Sequence, residues 1–404
     1  MNFAKKYYIK TFGCQANIAD SGTMGGIVEA LGFEKFVLAD RGDESVRNDT
    51  ALRDDALEEV LRNVDLLIIN TCSVRQKSED KIYGMGKMIK KVLADSGKKP
   101  TIILSGCMVG SAVGERKRLE LGELKKKMPW VDAYISPADI HNLPNVLSFS
   151  KKVDLKTITP VVEGEDFAYV NISTGCDNFC SYCVVPYARG KEVSHSHDDI
   201  VRDVKNLIDR GYKRIMLCGQ NVNSWGLGMA EKFKIRSGDS KRTPFANLLR
   251  EVRMLDGLEE LAFISSNPFD FTQELIEVLK LPKMSKYLHI AVQSGNNEVL
   301  KKMNRRHTVE EFISLVRDIE KAIPDIELGT DIIVGFSGET REQFMDTVEL
   351  FKKVKFKVAF ISIYSPRKGT PAEKFYKDDV SLKEKKWRHA YLTKIWREGL
   401  KNGR

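Results

Sequence analysis

The sequence lacks the segments that would carry a chain into or across a membrane. Its 404 residues contain no apolar run of roughly 18 or more, which excludes an ordinary transmembrane helix. The opening residues, MNFAKKYYIKTFGCQ, have no apolar core of the kind that secretory signal peptides carry. We therefore expect a cytoplasmic chain, in which the seven cysteines are metal ligands or core residues and not disulfides.

Internal repeats and low-complexity tracts are also missing, and the six histidines form no metal-binding pattern. The pair H-x-H at 195–197 indicates the start of a helix. A length of 404 residues exceeds what one core usually serves, so we expect at least two domains. The net charge of +9 permits a polyanionic partner such as RNA without requiring one.

Residues 5–148 alternate between short β-rich apolar runs and helical patterns. This alternation predicts a parallel sheet covered by helices on both faces. The predicted strands are 6–13, 65–71, 101–106 and 132–136. The predicted helices are 21–33, 77–97 and 115–127. The charged stretch 40–63 interrupts the pattern and indicates a solvated insertion containing one helix.

A second β/α series follows and predicts a β/α barrel two units short of eight. Its strands are expected at 168–174, 214–219, 260–265, 287–294, 327–336 and 359–365. Its helices are expected near 197–210, 244–255, 272–281, 309–322, 340–353 and 382–400.

Six of the cysteines fall into two groups of three. Cys14, Cys72 and Cys107 each follow a predicted strand of the first series. Because the carboxyl ends of parallel strands share one edge, these three thiols are expected to converge there. The competing interpretation is three core cysteines, since a free thiol packs as a small hydrophobe.

The second group, Cys176, Cys180 and Cys183, lies in GCDNFCSYCVVPYARG, directly after the first strand of the second series. This close spacing on one loop suits an iron–sulfur cluster. Structural zinc is the alternative, but no second cysteine pair or nearby histidine completes a zinc site. Three thiolates would leave one iron open for a small molecule that carries an amine and a carboxylate.

These motifs resemble those of the radical S-adenosylmethionine (SAM) methylthiotransferase family. C-x3-C-x2-C after the first barrel strand resembles the radical SAM signature, and the separate upstream triad narrows the resemblance to the methylthiotransferases. NTCSVRQKSEDKIYG, LCGQNVNSWG, LHIAVQSG and DIIVGFSGET extend the match over nearly the whole chain. They are most similar to tRNA 2-methylthio-N6-isopentenyladenosine synthases.

The resemblance implies two [4Fe–4S] clusters. Cys176, Cys180 and Cys183 would hold the cluster that binds SAM, whose reductive cleavage gives a 5′-deoxyadenosyl radical that attacks C2 of the adenine. Cys14, Cys72 and Cys107 would hold an auxiliary cluster that supplies the sulfur. The implied partners are tRNA, a reductant such as flavodoxin or ferredoxin, and an unknown sulfur donor, acting on a monomer.

Other residues have both a functional and a plain structural interpretation. Gly219 and Gln220, after the second barrel strand, and Gln293, after the fourth, are expected to contact SAM or substrate, and each could equally belong to an ordinary loop. Gly335 is expected either to pack against adenine or to make a strand-to-helix turn. Arg189 is either a substrate contact or a surface arginine.

The fold class expected is α/β, with a flavodoxin-like parallel-sheet domain followed by a partial (β/α)6 radical SAM barrel. The expected boundaries are a methylthiotransferase domain at 1–149, a linker at 150–166, the barrel at 167–380 and a basic C-terminal helix at 381–404. No segment matches the TRAM domain with which the family usually grips tRNA, so either the chain is shortened or RNA is held differently.

Asn267 stands where the isopentenyladenosine subgroup often has histidine, which leaves other substrates open. The alternatives are threonylcarbamoyl-adenosine in tRNA and an aspartate of a small-subunit ribosomal protein. A different class of function, a non-catalytic iron–sulfur protein for electron transfer or RNA binding, also fits the cysteine pattern. The aromatic residues of the C-terminal helix, Trp387, Tyr391 and Trp396, are expected to pack on the barrel, with an RNA-facing stripe as the alternative.

Overall fold

The computed structural model describes residues 4–38, 54–73, 76–95, 99–149, 158–161, 167–237 and 243–401. The chain divides into two compact units. The first comprises Met1–Asp177, Val184–Val193 and Asp198–Leu207, and the second comprises Asn178–Cys183, Ser194–His197 and Ile208–Arg404. Most of the predicted linker 150–166 and the first part of the charged insertion, 40–53, lie outside the described residues.

The strands within the described residues, numbered in chain order, include every strand that the sequence predicts. They are β1 (Lys6–Thr11), β2 (Glu34–Lys35), β3 (Leu66–Thr71), β4 (Thr101–Gly106), β5 (Ala133–Ile135), β6 (Ala168–Asn171), β7 (Ser173–Thr174), β8 (Val193–Ser194), β9 (Arg214–Cys218), β10 (Glu260–Phe263), β11 (Tyr287–His289), β12 (Glu327–Val334) and β13 (Phe356–Ile363).

The α-helices of the same residues are numbered likewise. They are α1 (Gln15–Ala30), α2 (Asp54–Asn63), α3 (Gln76–Asp95), α4 (Cys107–Val113), α5 (Leu121–Lys127), α6 (Leu143–Val146), α7 (Val185–Ala188), α8 (His197–Asp209), α9 (Met229–Arg236), α10 (Pro244–Val252), α11 (Gln273–Leu279), α12 (Asn297–Lys302), α13 (Val309–Ala322), α14 (Arg341–Lys353), α15 (Pro371–Phe375) and α16 (Leu382–Lys401).

The first unit contains a five-stranded parallel sheet in the order β2-β1-β3-β4-β5. This is the flavodoxin-like order, and it confirms the predicted fold class. The central strand β3, LLIINT, is buried along its whole length, as expected for a sheet covered on both faces. Two separate apolar clusters pack on the sheet, one containing Leu67 and Ile69 and the other Leu66 and Ile68.

The predicted helix 115–127 was wrong in its first half. The chain is helical from Cys107 to Val113 and again from Leu121 to Lys127, with irregular structure between. The helix α4 begins directly at the end of β4, so that Cys107 is its first residue. The predicted helix in the charged insertion is present as Asp54–Asn63.

The second unit carries the later β/α repeats. Strands β9 and β10 pair in parallel, and so do β11, β12 and β13. An isolated parallel bridge between Ser266 and Ile290 links the segments that follow β10 and β11. Along the chain the repeats begin with β6/α8, most of which belongs to the first unit, and continue in the second unit with β9/α10, β10/α11, β11/α13, β12/α14 and β13/α16. This alternation agrees with the predicted partial (β/α)6 barrel.

The aromatic side chains of α16 pack within the second unit. Trp387 and Tyr391 meet Phe344 of α14 with ring-centroid distances of 5.9 and 6.4 Å. The Trp396 indole N–H donates to the Phe356 carbonyl oxygen at 2.8 Å. The predicted packing interpretation of this helix is therefore confirmed.

Candidate functional site

The three cysteines of the first group lie at the carboxyl ends of adjacent strands. Cys72 and Cys107 directly follow β3 and β4, whose last residues, Thr71 and Gly106, pair in register. Cys14 comes three residues after β1 and is the N-cap of α1. In this strand order ligands bind at the switch point between β1 and β3, which is the edge that these thiols share.

A buried network of amides and hydroxyls fixes the segments that carry the first triad. Asn17 Nδ2 donates to Asn70 Oδ1 at 3.1 Å and to the Thr71 carbonyl at 3.2 Å. Asn70 Nδ2 in turn donates to the Asn17 carbonyl at 2.8 Å and to Ser21 Oγ at 2.9 Å. Because buried, satisfied polar networks resist rearrangement, α1 is held firmly against the end of β3.

Gly106 permits the sharp turn from β4 into α4. Its φ is +92°, and a Cβ there would lie 2.6 Å from the backbone nitrogen of Thr71. Only glycine adopts this conformation without strain and without that collision. The turn places Cys107 at the start of α4, with its side chain buried.

Arg189 lies beside the first triad and is buried, so the surface interpretation of this residue was wrong. Its side chain is 2% exposed, and Nη2 donates to Asp20 Oδ2 at 2.6 Å. Arg189 follows the last residue of α7, and α7 approaches α4 so closely that a methyl group on Gly110 would overlap the Ala188 carbonyl.

The charge of Arg189 acts on the thiol of Cys107. Burial raises the pKa of Cys107, the guanidinium of Arg189 opposes that rise, and the neighbouring Cys14 adds to it. Burial alone would lower the pKa of Arg189, but Asp20, Cys107 and Cys14 together raise it well above its usual range. The guanidinium therefore stays cationic next to thiols of the triad.

The second triad occupies one loop of eight residues. The Cys176 amide donates to the Gly190 carbonyl at 3.2 Å, and the Cys183 amide donates to the Cys180 carbonyl at 2.9 Å. Cys176 and Cys180 are buried and Cys183 is half-buried. Gly175, with φ of +79°, has no room for a Cβ against the Gly190 carbonyl, 2.6 Å away.

Residues 302–305 anchor the part of this loop that belongs to the second unit. The Ser181 amide donates to the Met303 carbonyl at 2.9 Å, and Asn304 Nδ2 donates to the Phe179 carbonyl at 2.9 Å. Arg305, 9% exposed, points Nη1 at Cys180 Sγ, 3.5 Å away. Sequence reasoning did not single out Arg305, because nothing in the pattern NRRHT separates a buried arginine from an exposed one.

The predicted SAM contacts lie after three strands of the second unit. Gly219 and Gln220 follow β9, and the Gln220 Oε1 atom is buried without a hydrogen-bond partner among the described residues. Gln293 is 9% exposed, has φ of +76° and forms a parallel bridge with Ile332. An unpaired buried oxygen suits a ligand that brings its own donor, but the four assignments, including Gly335, stay predictions.

Gly335 makes the turn that ends β12. Its φ is +71°, and its amide donates to Glu339 Oε2 at 2.6 Å. Glu339 in turn accepts from Arg388 Nη1 of α16 at 2.8 Å, and the Lys385 side chain occupies the space that a Cβ at Gly335 would need. This turn therefore ties the end of β12 to the C-terminal helix.

Comparison with known proteins extends the resemblance seen in the motifs. Residues 170–351 match the radical SAM superfamily, and residues 61–135 match an uncharacterised protein family, UPF0004. The tRNA-2-methylthio-N(6)-dimethylallyladenosine synthase of Clostridium botulinum (strain Loch Maree / Type A3) is 37% identical over 415 residues, covering 98% of this chain and 83% of its own. The synthase of the same name from Geobacillus kaustophilus is 37% identical over 414 residues, covering 98% and 70%. The chain belongs to the radical SAM methylthiotransferase family.

A solved structure supports the fold of this methylthiotransferase. The radical SAM methyltransferase TsrM from Kitasatospora setae, with cobalamin and a [4Fe–4S] cluster bound, superposes with a TM-score of 0.62. The match covers 92% of this chain and 77% of that one, at 15% identity. It shows a shared fold.

The methylthiotransferase has a buried polar network that the sequence analysis did not find. Asn267 Nδ2 donates to Asn221 Oδ1 at 2.7 Å, and the side chain of Asn223 bonds both to the amide and to the carbonyl of Asn267. Asn221 also donates to Asp270 Oδ2 at 2.7 Å, and Asp270 accepts from Arg236 at 2.8 Å. The departure at Asn267 thus belongs to a satisfied network joining the loops after β9 and β10.

Each triad offers three cysteine thiols, the donors that hold iron–sulfur clusters, and each has a buried arginine close by. Among the described residues, no three His, Cys, Asp or Glu side chains are arranged to hold a single metal ion. No described helix is both long enough and apolar enough to cross a membrane.

Proposed function

We propose that this chain is a tRNA methylthiotransferase that adds a methylthio group to C2 of N6-isopentenyladenosine beside the anticodon. The observation that carries the proposal is the pair of cysteine triads, one at the switch point of a flavodoxin-like sheet and one in a C-x3-C-x2-C loop. Relatives at 37% identity over 98% of the chain are named for this product. The dimethylallyl group in their name is the same group as the isopentenyl group.

The two triads divide the cofactors between them. Cys176, Cys180 and Cys183 would hold the [4Fe–4S] cluster that binds SAM, and Cys14, Cys72 and Cys107 would hold the auxiliary [4Fe–4S] cluster. When bound, these groups supply one-electron cleavage of SAM and the sulfur for transfer. The chain contributes largely buried thiols, rigid turns that fix them, and two buried arginines beside them.

The polar groups after β9 and β11 are proposed to orient SAM. The backbone at Gly219 lets a ligand approach, and the unpaired Gln220 oxygen accepts a hydrogen bond from it. Gln293 and Gly335 are proposed as further contacts at the ends of β11 and β12. A partner-free amide oxygen in a buried position is the feature that favours Gln220 over the other three.

The domain assignment is part of the same proposal. Residues 1–149 would serve the auxiliary cluster and residues 167–380 the SAM cluster, with 150–166 as the linker and 381–404 as a basic C-terminal helix. We propose that the enzyme acts as a cytoplasmic monomer on tRNA, with flavodoxin or ferredoxin as the reductant.

The first test is the content of iron and acid-labile sulfide after anaerobic reconstitution. We expect about eight of each per chain, the amount that two four-iron clusters contain. Replacing all three cysteines of either triad by alanine should leave about four. About four iron and four sulfide in the unsubstituted chain would contradict the sulfur-transfer role. Zinc without iron would contradict the assignment of the chain as a radical SAM enzyme.

The second test identifies the product. The reconstituted enzyme, supplied with SAM and a reductant, should release 5′-deoxyadenosine, which an electron carrier would not form. Nucleoside mass spectrometry of treated tRNA should then show 2-methylthio-N6-isopentenyladenosine. A methylthiolated threonylcarbamoyl-adenosine, or a modified ribosomal protein in place of modified tRNA, would redirect the substrate assignment.

A further inference from the structure

Each cysteine triad has a buried arginine beside one or more of its thiols. Arg305 points Nη1 at Cys180 Sγ, 3.5 Å away, within the second unit. Arg189 lies beside Cys107 and Cys14 within the first unit, with a side chain that is 2% exposed. Burying a cation costs free energy unless nearby negative charge compensates it. The position of a buried arginine therefore indicates where negative charge is expected.

The partners that Arg189 has in the protein satisfy only part of its guanidinium. Nη2 donates to Asp20 Oδ2 at 2.6 Å, whereas Nη1 is buried and has no hydrogen-bond partner among the described residues. Asp20 is itself shared, because its Oδ1 accepts from Asn171 Nδ2 at 2.8 Å. One divided carboxylate thus holds Nη2, while the guanidinium also lies close enough to the Cys107 thiol to oppose the rise of that thiol's pKa.

The elements around Arg189 are built to keep it there. The α7 backbone reaches α4 only because Gly110 has no side chain, and this approach brings the residue after α7 to the start of α4. The first residue of α4 is Cys107. A buried ion pair used only for stability is replaceable by apolar residues, whereas a cation aimed at thiolate ligands has an electrostatic use.

We propose that Arg189, held in place by Asp20, is a positioning residue that compensates the negative charge of the auxiliary cluster and raises its reduction potential. This inference rests on the proposed function, which assigns Cys14, Cys72 and Cys107 to that cluster. A cation near a thiolate-bound cluster favours the reduced form, since reduction adds one negative charge. Arg305 has the corresponding relation to the SAM cluster.

The experiment is an EPR-monitored redox titration of each cluster in the reconstituted full-length enzyme. In R189Q we expect the auxiliary potential to become more negative while the SAM-cluster potential stays unchanged. In R305Q the SAM-cluster potential should become more negative while the auxiliary potential stays unchanged. Each variant is therefore the matched control for the other. In D20N the auxiliary potential should become more positive, because the carboxylate that opposes Arg189 is gone.

An electrostatic role predicts potential changes of opposite sign in R189Q and D20N. A purely structural role would change the auxiliary potential in the same direction in both variants, or would change it in neither. If R189Q fails to hold its auxiliary iron, R189K, which keeps the charge, should recover it. Loss of that iron in R189K as well would overturn the proposal. Unchanged auxiliary potentials in R189Q and D20N, with both clusters present, would also overturn it.

The proposed function and this inference fail in different ways. An unsubstituted enzyme with only about four iron per chain would refute the two-cluster assignment itself. Two clusters and an active enzyme, with potentials insensitive to Arg189 and Asp20, would leave the function standing and refute only the inference.

Discussion

His307 illustrates how a single buried side chain makes stability depend on pH. It is 7% exposed, and its ring stacks on Phe269 at a centroid distance of 6.0 Å. Burial, with the nearby charge of Arg305, lowers the pKa of His307 from 6.5 to about 3. The unfolded chain therefore binds this proton between those two values and the folded chain does not.

We predict that the free energy of unfolding decreases as the pH falls from 6.5 toward 3, by up to about 1.4 kcal/mol per pH unit from this group. His307→Asn should flatten that dependence, measured by urea denaturation between about pH 5 and pH 7. His141→Asn is the matched control, because His141 is exposed. An equal slope in the unsubstituted chain and H307N would contradict the prediction.

At the residue scale, spacing and chemistry predicted what is local and missed what is brought together by folding. The C-x3-C-x2-C spacing and the positions of Cys14, Cys72 and Cys107 after apolar runs were visible in the sequence. The burial of Arg189 and its bond to Asp20 were not visible, because Asp20 is 169 positions away. The strongest available signal was its place just after the second triad, which does not distinguish burial from exposure.

The start of α4 is the element on which Cys107 depends. Gly106→Ala should destabilise the protein by more than about 2 kcal/mol, through the positive φ and the collision with the Thr71 backbone. It should also reduce the iron bound by the first triad. The measurements are the unfolding free energy and the iron content after reconstitution.

Gly122→Ala is the control for that substitution. Gly122 lies in α5, and a Cβ there would meet nothing within 4 Å. We expect its stability to stay within about 1 kcal/mol of the unsubstituted chain, with unchanged iron. Equal effects of the two substitutions would contradict a specific requirement for glycine at the turn before α4.

The helix α16 is attached to the end of β12 by a buried ion pair. Arg388 and Glu339 have side chains 4% and 1% exposed, with Nη1 and Oε2 2.8 Å apart. Arg388→Met leaves a buried carboxylate without its cation and should cost about 3–5 kcal/mol of stability. The double variant E339Q/R388M should recover most of that loss.

The same pair predicts a pH dependence of defined sign. Burial raises the pKa of Glu339, which Arg388 and the Gly335 amide oppose. Without Arg388 the folded pKa rises further above the unfolded value, so R388M should become relatively more stable as the pH falls toward 5. Thermal or urea unfolding of R388M and of the unsubstituted chain at several pH values checks this. A difference in stability between the two that does not narrow on acidification would contradict it.

Element prediction succeeded where apolar runs were continuous and failed where composition misled. The run LLIINT predicted β3 because a parallel strand is buried on both faces. The charged pattern of 115–127 predicted one helix, but the structure has helix only at its end. The helix α4 was missed because a glycine turn before Cys107 gives no helical period.

At the scale of the whole molecule, the net charge of +9 bears on tRNA binding. If tRNA is the substrate, the logarithm of the association constant should fall linearly with the logarithm of salt concentration. We expect a loss of roughly tenfold or more between about 50 and 200 mM salt, measured by filter binding or fluorescence anisotropy. A flat salt response would contradict phosphate contacts as the source of affinity.

The overall architecture was predictable as a class, because alternating strands and helices allow few arrangements. The order β2-β1-β3-β4-β5 was implied by the family and not by the periodicity, since β2 has only two residues and no clear pattern. The grouping of residues 184–193 and 198–207 with the first unit could not be predicted from the sequence pattern. Such long-range association depends on packing that appears only in three dimensions.

The bond between Asp20 and Arg189 sets an order of events during synthesis. A ribosome adding about 5–20 residues per second needs on the order of ten to thirty seconds to make the 169 positions that separate them. In the later part of that interval, once Cys107 has been made, all three cysteines of the first triad exist while Arg189 does not. A cluster assembled in that interval would lack the cation that lies beside it in the folded protein. Cluster insertion is therefore expected to follow the synthesis of the loop after the second triad.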